Sequence, residues 1–131
     1  MKQADIVKTQ GRKMNIREVA ARFHELAQQE KWFEIQDELF ADNVRSIEPP
    51  TSQGLPNAEG KAAVRKKGEA LVSQVEAVHS ASTTAPVVAG SYFAVGRELD
   101  MTVRGAGRTQ MNEVMVYEVR DGLIVSEQFF Y

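Results

Sequence analysis

The chain has 131 residues, of which 43% are hydrophobic and 26% charged, with a net charge of -2 and no cysteine. A chain of this length fits a single domain that can bury a hydrophobic core without disulfides. Because cysteine is absent, disulfides, thiol catalysis and cysteine metal sites are excluded. The near-balance of charge argues against nucleic acid as a partner.

The first fourteen residues carry four basic side chains and no apolar stretch of the kind that a secretory signal contains. No apolar run in the chain approaches the length that a membrane span needs. We therefore predict a flexible N-terminal arm over residues 1–14, one domain over residues 15–131, a cytoplasmic location and no membrane partner.

The first half of the chain has helical periodicity. Asn15 and Glu18 have the spacing of a capping box, which predicts that a helix begins directly after Asn15. A second helix is predicted over about residues 31–40 and a third over about residues 59–74. The basic run at residues 65–67 of the third helix is interpreted as a solvated face.

A short strand and a long connection separate the second and third helices. The strand is predicted over residues 44–48, and the two prolines that follow end it. Residues 49–59 hold three prolines in all and predict an irregular connection. A connection of this length is uncommon unless it covers or builds something, so it could act as a lid or simply join two elements.

The second half of the chain alternates apolar and polar residues, as strands do. Four strands are predicted, over residues 77–84, 86–104, 109–119 and 123–131. Asp121-Gly122 predicts a two-residue hairpin turn, and Gly90 and Gly96 suggest bulges where a curved sheet bends. Helices followed by an antiparallel meander indicate an α+β fold.

Three segments resemble SnoaL-like proteins of the nuclear transport factor 2-like superfamily: "LFADNVRSIEP", "GRELDMTVRGAGR" and "NEVMVYEVRDGLI". The resemblance implies a cystatin-like α+β barrel, in which a cone-shaped, curved antiparallel sheet wraps around three helices. It also implies a small hydrophobic molecule in the open end of the cone and a homodimer through the sheet. The superfamily includes polyketide cyclases, ketosteroid isomerases, dehydratases and non-catalytic members, so the fold does not decide the function.

Counting residues back from the turns places two carboxylates side by side. If Gly105 to Arg108 form a four-residue loop, Asp100 lies directly opposite Glu113. Neighbouring carboxylates acquire different pKa values and can serve as acid and base, which an enolising isomerase or an aldol cyclase needs. Two alternatives remain. Both groups are solvated surface charges, or a three-residue loop with a bulge breaks the pairing, because a slip of one residue moves a side chain to the opposite face.

Five further residues are predicted to contact the ligand. On the same count Tyr92, Tyr117 and Gln128 share the face of Glu113 and offer directional hydrogen bonds. Glu48 ends the first predicted strand at the mouth of the cone, where it could contact the ligand. Alternatively, it is an ordinary charge at the end of a strand. His79 could transfer protons inside a pocket, or it could simply be exposed or hydrogen-bonded.

The remaining sequence features indicate a structural ion pair and give no support for a metal or cofactor site. Arg97 interrupts an apolar face, so we expect it in an ion pair rather than on an anionic ligand. No histidine pair has metal-ligand spacing, and no nucleotide-binding or serine-hydrolase motif occurs. We expect neither a metal nor a cofactor.

Three functions are consistent with the sequence. The first is a cofactor-independent isomerase, cyclase or dehydratase that acts on a small hydrophobic carbonyl compound, with Asp100 and Glu113 sharing the acid–base work. The second is a non-catalytic protein that binds a lipid-like or aromatic molecule. The third is a dimeric interaction module that uses the same sheet.

Overall fold

The computed structural model describes residues 13–131, so most of the predicted N-terminal arm lies outside the described residues. The elements, in chain order, are α1 (Ile16–Gln28), α2 (Trp32–Leu39), β1 (Phe40–Ile47), β2 (Ala58–Glu59), α3 (Lys61–Gln74), β3 (Val75–Thr83), β4 (Val87–Ala89), β5 (Tyr92–Val103), β6 (Gly107–Arg120) and β7 (Leu123–Phe130). Within this part of the chain, no helix is long and apolar enough to cross a membrane.

The start of α1 confirms the predicted capping box. The Asn15 side chain accepts a hydrogen bond from the backbone N–H of Glu18 at 2.9 Å, and the Glu18 carboxylate accepts one from the N–H of Asn15 at 3.0 Å. These two bonds satisfy backbone donors that the helix leaves unpaired. The helix therefore begins at a defined residue, with Phe23 and Ala27 buried on its inner face.

The strands form one curved sheet in the order β2-β1-β7-β6-β5-β3, with β4 paired to β5. All neighbouring pairs are antiparallel except β1 and β7, which are parallel. The sheet is therefore mixed, whereas the resemblance implied an antiparallel one. No hairpin joins β1 to β7, so the chain is free to lay them in the same direction. The described sheet ends at β2 and β3 and does not close.

The turn between β6 and β7 has the predicted conformation. Asp121 and Gly122 both have positive φ angles, of 53° and 79°, and Arg120 pairs with Leu123 across them. This is the geometry of a two-residue hairpin turn. A side chain at residue 122 would come within 3.0 Å of the backbone oxygen of Met14. Glycine therefore also lets the segment before α1 pack onto the turn.

The predicted strand over residues 86–104 is two strands. Gly90 has a φ of 58° and lies in the turn between β4 and β5. Gly96 is not a bulge, because β5 pairs with β6 without a register shift from Tyr92 to Val103. The turn at residues 90–91 thus replaces the bulges that the sequence suggested.

An aromatic cluster fixes which face of the sheet is concave. The ring centroid of Phe23 lies 5.1 Å from that of Phe93 and 4.6 Å from that of Tyr117. Phe93, Met115 and Tyr117 are buried on this face, whereas Val114 is exposed on the other. Large buried side chains therefore fill the part of the concave face beneath α1, and polar groups gather beneath α3.

Candidate functional site

The register of β5 and β6 separates the two carboxylates that the sequence count brought together. Val103 pairs with Gly107, so the loop has three residues, and Gln110 rather than Glu113 lies opposite Asp100. The predicted pairing is wrong by three positions, and an odd shift moves a side chain to the other face of the sheet. Gly105 and Gly107 allow this tighter loop, because both have positive φ angles.

Asp100 and His79 lie away from the concave interior. The Asp100 carboxylate accepts hydrogen bonds from Arg108 Nε at 2.7 Å and Nη2 at 2.9 Å. These bonds lower the pKa of Asp100 below its usual value. His79 is exposed on β3, with Nε2 2.7 Å from the hydroxyl of Thr102. Neither residue is brought into contact with Glu113.

Two more predicted ligand contacts point to the outer face. Tyr92 pairs with Glu118 in the same register that pairs Asp100 with Gln110. Its side chain therefore lies on the outer face of the sheet, where it is half exposed. Gln128 pairs with Val116, because an extra residue, Val125, forms a bulge in β7. The prediction that both share the face of Glu113 is therefore wrong.

Tyr117 does share the concave face with Glu113. It is fully buried and stacks on Phe93 at 5.0 Å, so it packs in the core. Burial raises the pKa of the Tyr117 hydroxyl well above its ordinary value, and the charge of Glu127 raises it further. This hydroxyl stays protonated at neutral pH and lies 3.6 Å from the sulfur of Met115.

The bulge in β7 brings an unpredicted carboxyl, Glu127, into the interior. Glu127 lies opposite Tyr117 on β6 and opposite Ser46 on β1. The fully buried hydroxyl of Ser46 donates a hydrogen bond to Glu127 Oε1 at 2.8 Å. Nothing in the local sequence marks Glu127, because an unbroken hairpin would place it on the opposite face.

Beside Glu127 a buried ion pair joins α3 to the end of β1. Lys67 Nζ donates hydrogen bonds to Glu48 Oε2 and to Ser46 Oγ, the latter at 2.9 Å. The Tyr131 hydroxyl donates to Glu48 Oε1 at 2.6 Å. Only 11% of the Lys67 side chain and 5% of the Glu48 side chain are exposed. Lys67 therefore does not belong to the solvated face that the basic run predicted.

Glu48 was predicted to contact the ligand, and it does lie at the concave interior. Its two carboxylate oxygens are already bonded, one to Lys67 and one to Tyr131. Burying a charge is costly unless it is paired in this way. Glu48 therefore holds the network together, and its contact with a ligand stays a prediction.

Of the carboxyls of Glu48, Glu113 and Glu127, that of Glu113 is the one without a hydrogen bond among the described residues. It is half-buried on the concave face, and within residues 13–131 its carboxyl makes no hydrogen bond or ion pair. The neighbouring guanidinium of Arg97 is directed to Glu30, with Nη2 2.9 Å from Oε1, and lies 4.5 Å from the Trp32 ring centroid. The expected ion pair of Arg97 is thus confirmed, and it leaves Glu113 free.

Burial sets the protonation of both interior carboxyls. Burial raises the pKa of Glu113 to about 7; the negative charge of Glu48 adds to the effect and Arg97 opposes it. Burial also raises the pKa of Glu127 to about 7, against the hydrogen bond from Ser46 and the charge of Lys67. Each group repels the ionised form of the other. The site therefore holds two carboxyls that gain and lose protons near neutral pH.

Four apolar side chains that are neither exposed nor fully buried lie on the concave face or on α3. Leu99 and Met111 pair with each other on the concave face, and Phe129 pairs with Met115. Leu71 lies one helical turn beyond Lys67 on α3 and is also half-buried. None of these four side chains lines either of the two depressions described next.

Two open, shallow depressions lie outside the network of Glu48, Lys67 and Glu127. One, of about 890 Å³, is bounded by the start of α3 and the end of α2, with charged residues around it. The other, of about 480 Å³, lies mainly on the outer face of the sheet, around Gly96, Val114 and Phe130, and reaches Arg97 and Glu113. Neither is lined by Glu48, Lys67 or Glu127.

Comparison with known proteins identifies a consistent set of similar chains. Residues 14–131 match the family model described as a SnoaL-like domain. The structure is similar to a candidate SnoaL-like polyketide cyclase from Mesorhizobium loti, with 34% identity and a TM-score of 0.84, over 90% of this chain and 100% of that one. No curated protein matches the chain.

Two further solved structures are similar over most of their length. A candidate isomerase from Bacillus subtilis is 25% identical, with a TM-score of 0.66, over 88% of both chains. A Xanthomonas campestris protein of unknown function with a cystatin-like fold is 17% identical, with a TM-score of 0.73, over 89% of this chain and 90% of that one. The last likeness concerns the fold alone.

Proposed function

The chain belongs to the SnoaL-like domain family, and on this premise we propose that it is a cofactor-independent enzyme acting on a small hydrophobic carbonyl compound. The reaction class is the movement of a carbon-bound proton, as in an isomerase, a cyclase or a dehydratase. The observation that carries the proposal is the unbonded Glu113 carboxyl, half-buried among apolar side chains, with a pKa of about 7.

Glu113 is the proposed base. A carboxylate with a pKa near the working pH is ionised often enough to accept a proton and basic enough to take it from carbon. The proton passes to a Glu113 oxygen, and the electron pair of the C–H bond moves to the carbonyl oxygen, which becomes an enolate. Return of the proton to another carbon, or attack of the enolate on a second carbonyl, completes an isomerisation or a cyclisation.

Glu127 is the proposed acid. Because ionised Glu113 disfavours ionisation of Glu127, the state with one proton on the pair is favoured near pH 7. A neutral carboxyl in a low-dielectric interior can donate a hydrogen bond to a developing enolate oxygen. The acid–base pair thus consists of Glu113 and Glu127, whereas the sequence count paired Glu113 with Asp100.

The test is proton exchange at carbon. The protein is incubated in D₂O with a panel of hydrophobic ketones, and loss of the α-proton is followed by NMR. We expect exchange with at least one ketone, and a loss of about 10²-fold or more in Glu113→Gln. Glu76→Gln is the matched control, because Glu76 is an exposed carboxyl on β3 that lines neither depression.

Two results would count against the proposal. If Glu113→Gln exchanges protons as fast as the parent protein, Glu113 is not the base. If ketones raise the melting temperature of the parent protein but no exchange occurs, the protein binds such molecules without transforming them, which is the non-catalytic alternative.

We also propose a homodimer through the outer face of the sheet. Val114 and Phe130 pair there, are 47% and 49% exposed, and border the depression around Gly96. Contiguous exposed apolar side chains mark protein interfaces, and these two side chains are neighbours on one surface. Val114→Asp is expected to shift the mass in sedimentation equilibrium from dimer to monomer. Val72→Asp, on an exposed position of α3, serves as the control.

A further inference from the structure

The hydrogen bonds around Ser46 have a fixed direction. A lysine ammonium only donates, so Ser46 Oγ must accept from Lys67 Nζ at 2.9 Å. Ser46 is fully buried, and its other described hydrogen bond is the one to Glu127 Oε1 at 2.8 Å. A buried hydroxyl proton without an acceptor is costly, so this proton points to Glu127. Oε1 of Glu127 is therefore held as an acceptor.

We propose that Lys67 is a positioning residue that acts on Glu127 through Ser46, so that the acidic proton of this carboxyl resides on Oε2. An oxygen that accepts the Ser46 proton cannot also present its own proton along the same line. Two other groups face this carboxyl: the Tyr117 hydroxyl on β6, whose hydrogen bond lowers the pKa of Glu127, and the Glu48 carboxylate, whose charge raises it. The inference rests on the proposed function in its assignment of Glu127 as the acid. Its physical content, the direction of the bonds, can be tested without any substrate.

Lys67 is itself held firmly in place. Its ammonium is bonded to Glu48 and lies 5.2 Å from the ring centroid of Phe129. Turning away would leave Glu48 buried and unpaired, which is strongly unfavourable. The Tyr131 hydroxyl fixes the other oxygen of Glu48. The direction of the Ser46 proton thus follows from an ion pair that cannot rearrange without opening the interior.

The test is a ¹³C NMR titration of the glutamate carboxyls in four single variants and one double variant. We expect the midpoint of Glu127 to rise by about one pH unit in both Lys67→Met and Ser46→Ala, because each removes a group that favours the ionised carboxyl. Lys66→Met is the matched control, since it removes the adjacent exposed lysine. Lys67→Arg, which keeps the charge and a donor, should retain a midpoint close to that of the parent protein.

Ser46→Ala separates positioning from simple attraction between charges. It deletes the link to Glu127 but keeps Lys67 paired with Glu48, and the small change in volume lets the variant fold even if Lys67→Met does not. An unchanged Glu127 midpoint in Ser46→Ala would overturn the inference. A Ser46→Ala/Lys67→Met double variant whose shift equals the sum of the two single shifts would also overturn it, since Lys67 would then act only through space. The same holds if Lys66→Met shifts the midpoint as far as Ser46→Ala does.

The two proposals can fail separately. A shifted Glu127 midpoint in Ser46→Ala, together with normal ketone exchange in Glu113→Gln, would contradict the proposed function and leave the positioning role supported. Loss of exchange in Glu113→Gln, together with an unmoved Glu127 midpoint in Ser46→Ala, would support the proposed function and contradict the positioning role.

Discussion

Replacing Glu127 with glutamine removes a buried ionisable group while keeping its shape, and we expect the variant to gain stability over the parent protein as the pH rises. Glu127 is buried and its pKa is about 7, against an ordinary value of 4.5. In the folded protein it therefore holds its proton at pH values where the unfolded chain has already lost it. Folding thus binds protons between about pH 4.5 and pH 7.

The uptake of protons on folding determines how the free energy of unfolding changes with pH. When the folded state binds more protons than the unfolded state, the free energy of unfolding falls as the pH rises. The contribution of Glu127 is thus most favourable below pH 4.5, declines through the window up to its folded-state pKa, and stays low above it. A raised carboxyl pKa has the opposite effect from the lowered pKa of a surface ion pair.

The magnitude follows from the size of the shift. A difference of about 2.5 pH units between the folded and unfolded states corresponds to about 3 kcal/mol, at roughly 1.4 kcal/mol per unit. Glutamine carries no titrating proton and still accepts from Ser46 through its amide oxygen. Any cost of its extra N–H groups is the same at every pH. The stability of the variant relative to the parent protein should therefore rise by about 3 kcal/mol between pH 4.5 and pH 9.

Urea unfolding of both proteins at pH 4.5 and pH 9 measures this quantity. Glu76→Gln, at an exposed position of β3, should differ from the parent protein by less than about 0.5 kcal/mol at both pH values. The reasoning is refuted if the difference between Glu127→Gln and the parent protein is the same at pH 4.5 and pH 9, or if it falls.

Other expected outcomes concern the contacts around the site. Asp100→Asn should leave ketone exchange unchanged, because Asp100 is bonded to Arg108 on the outer face. Tyr131→Phe should lower the free energy of unfolding by about 1 kcal/mol in urea, through loss of the bond to Glu48. Arg97→Met should cost roughly 1 to 3 kcal/mol in the same assay, because Glu30 loses its ion pair and Trp32 loses the guanidinium over its ring. Exposed Arg120→Met should cost less than about 0.5 kcal/mol.

Local signals in the sequence predicted local structure well. The capping pair Asn15 and Glu18 is confirmed because both partners belong to one helical turn. The turn at Asp121-Gly122 is confirmed for the same reason, since two residues with positive φ determine it. The ion pair of Arg97 followed from the cost of burying an unpaired charge.

The site could not be predicted, because it depends on register. A loop one residue shorter than expected changed which face carries Asp100, and one extra residue in β7 moved Glu127 inward and Gln128 outward. Each change is small in sequence, yet the two-residue period of a strand converts it into a change of face. Lys67 was missed for a different reason, since its partners Glu48 and Ser46 are about twenty positions away along the chain.

The buried polar network is difficult to explain as a device for stability. Desolvating an ion pair such as Lys67 and Glu48 costs about as much as the attraction returns, and apolar residues of similar size often stabilise a core more. Glu113 and Glu127 add a further penalty whenever they ionise, as their raised pKa values imply. A core selected for stability alone would have extended the aromatic cluster of Phe23, Phe93 and Tyr117 beneath α3. Carboxyls kept in such a place at this cost favour an acid–base role over a scaffold, and the Glu127→Gln stability measurement tests that cost directly.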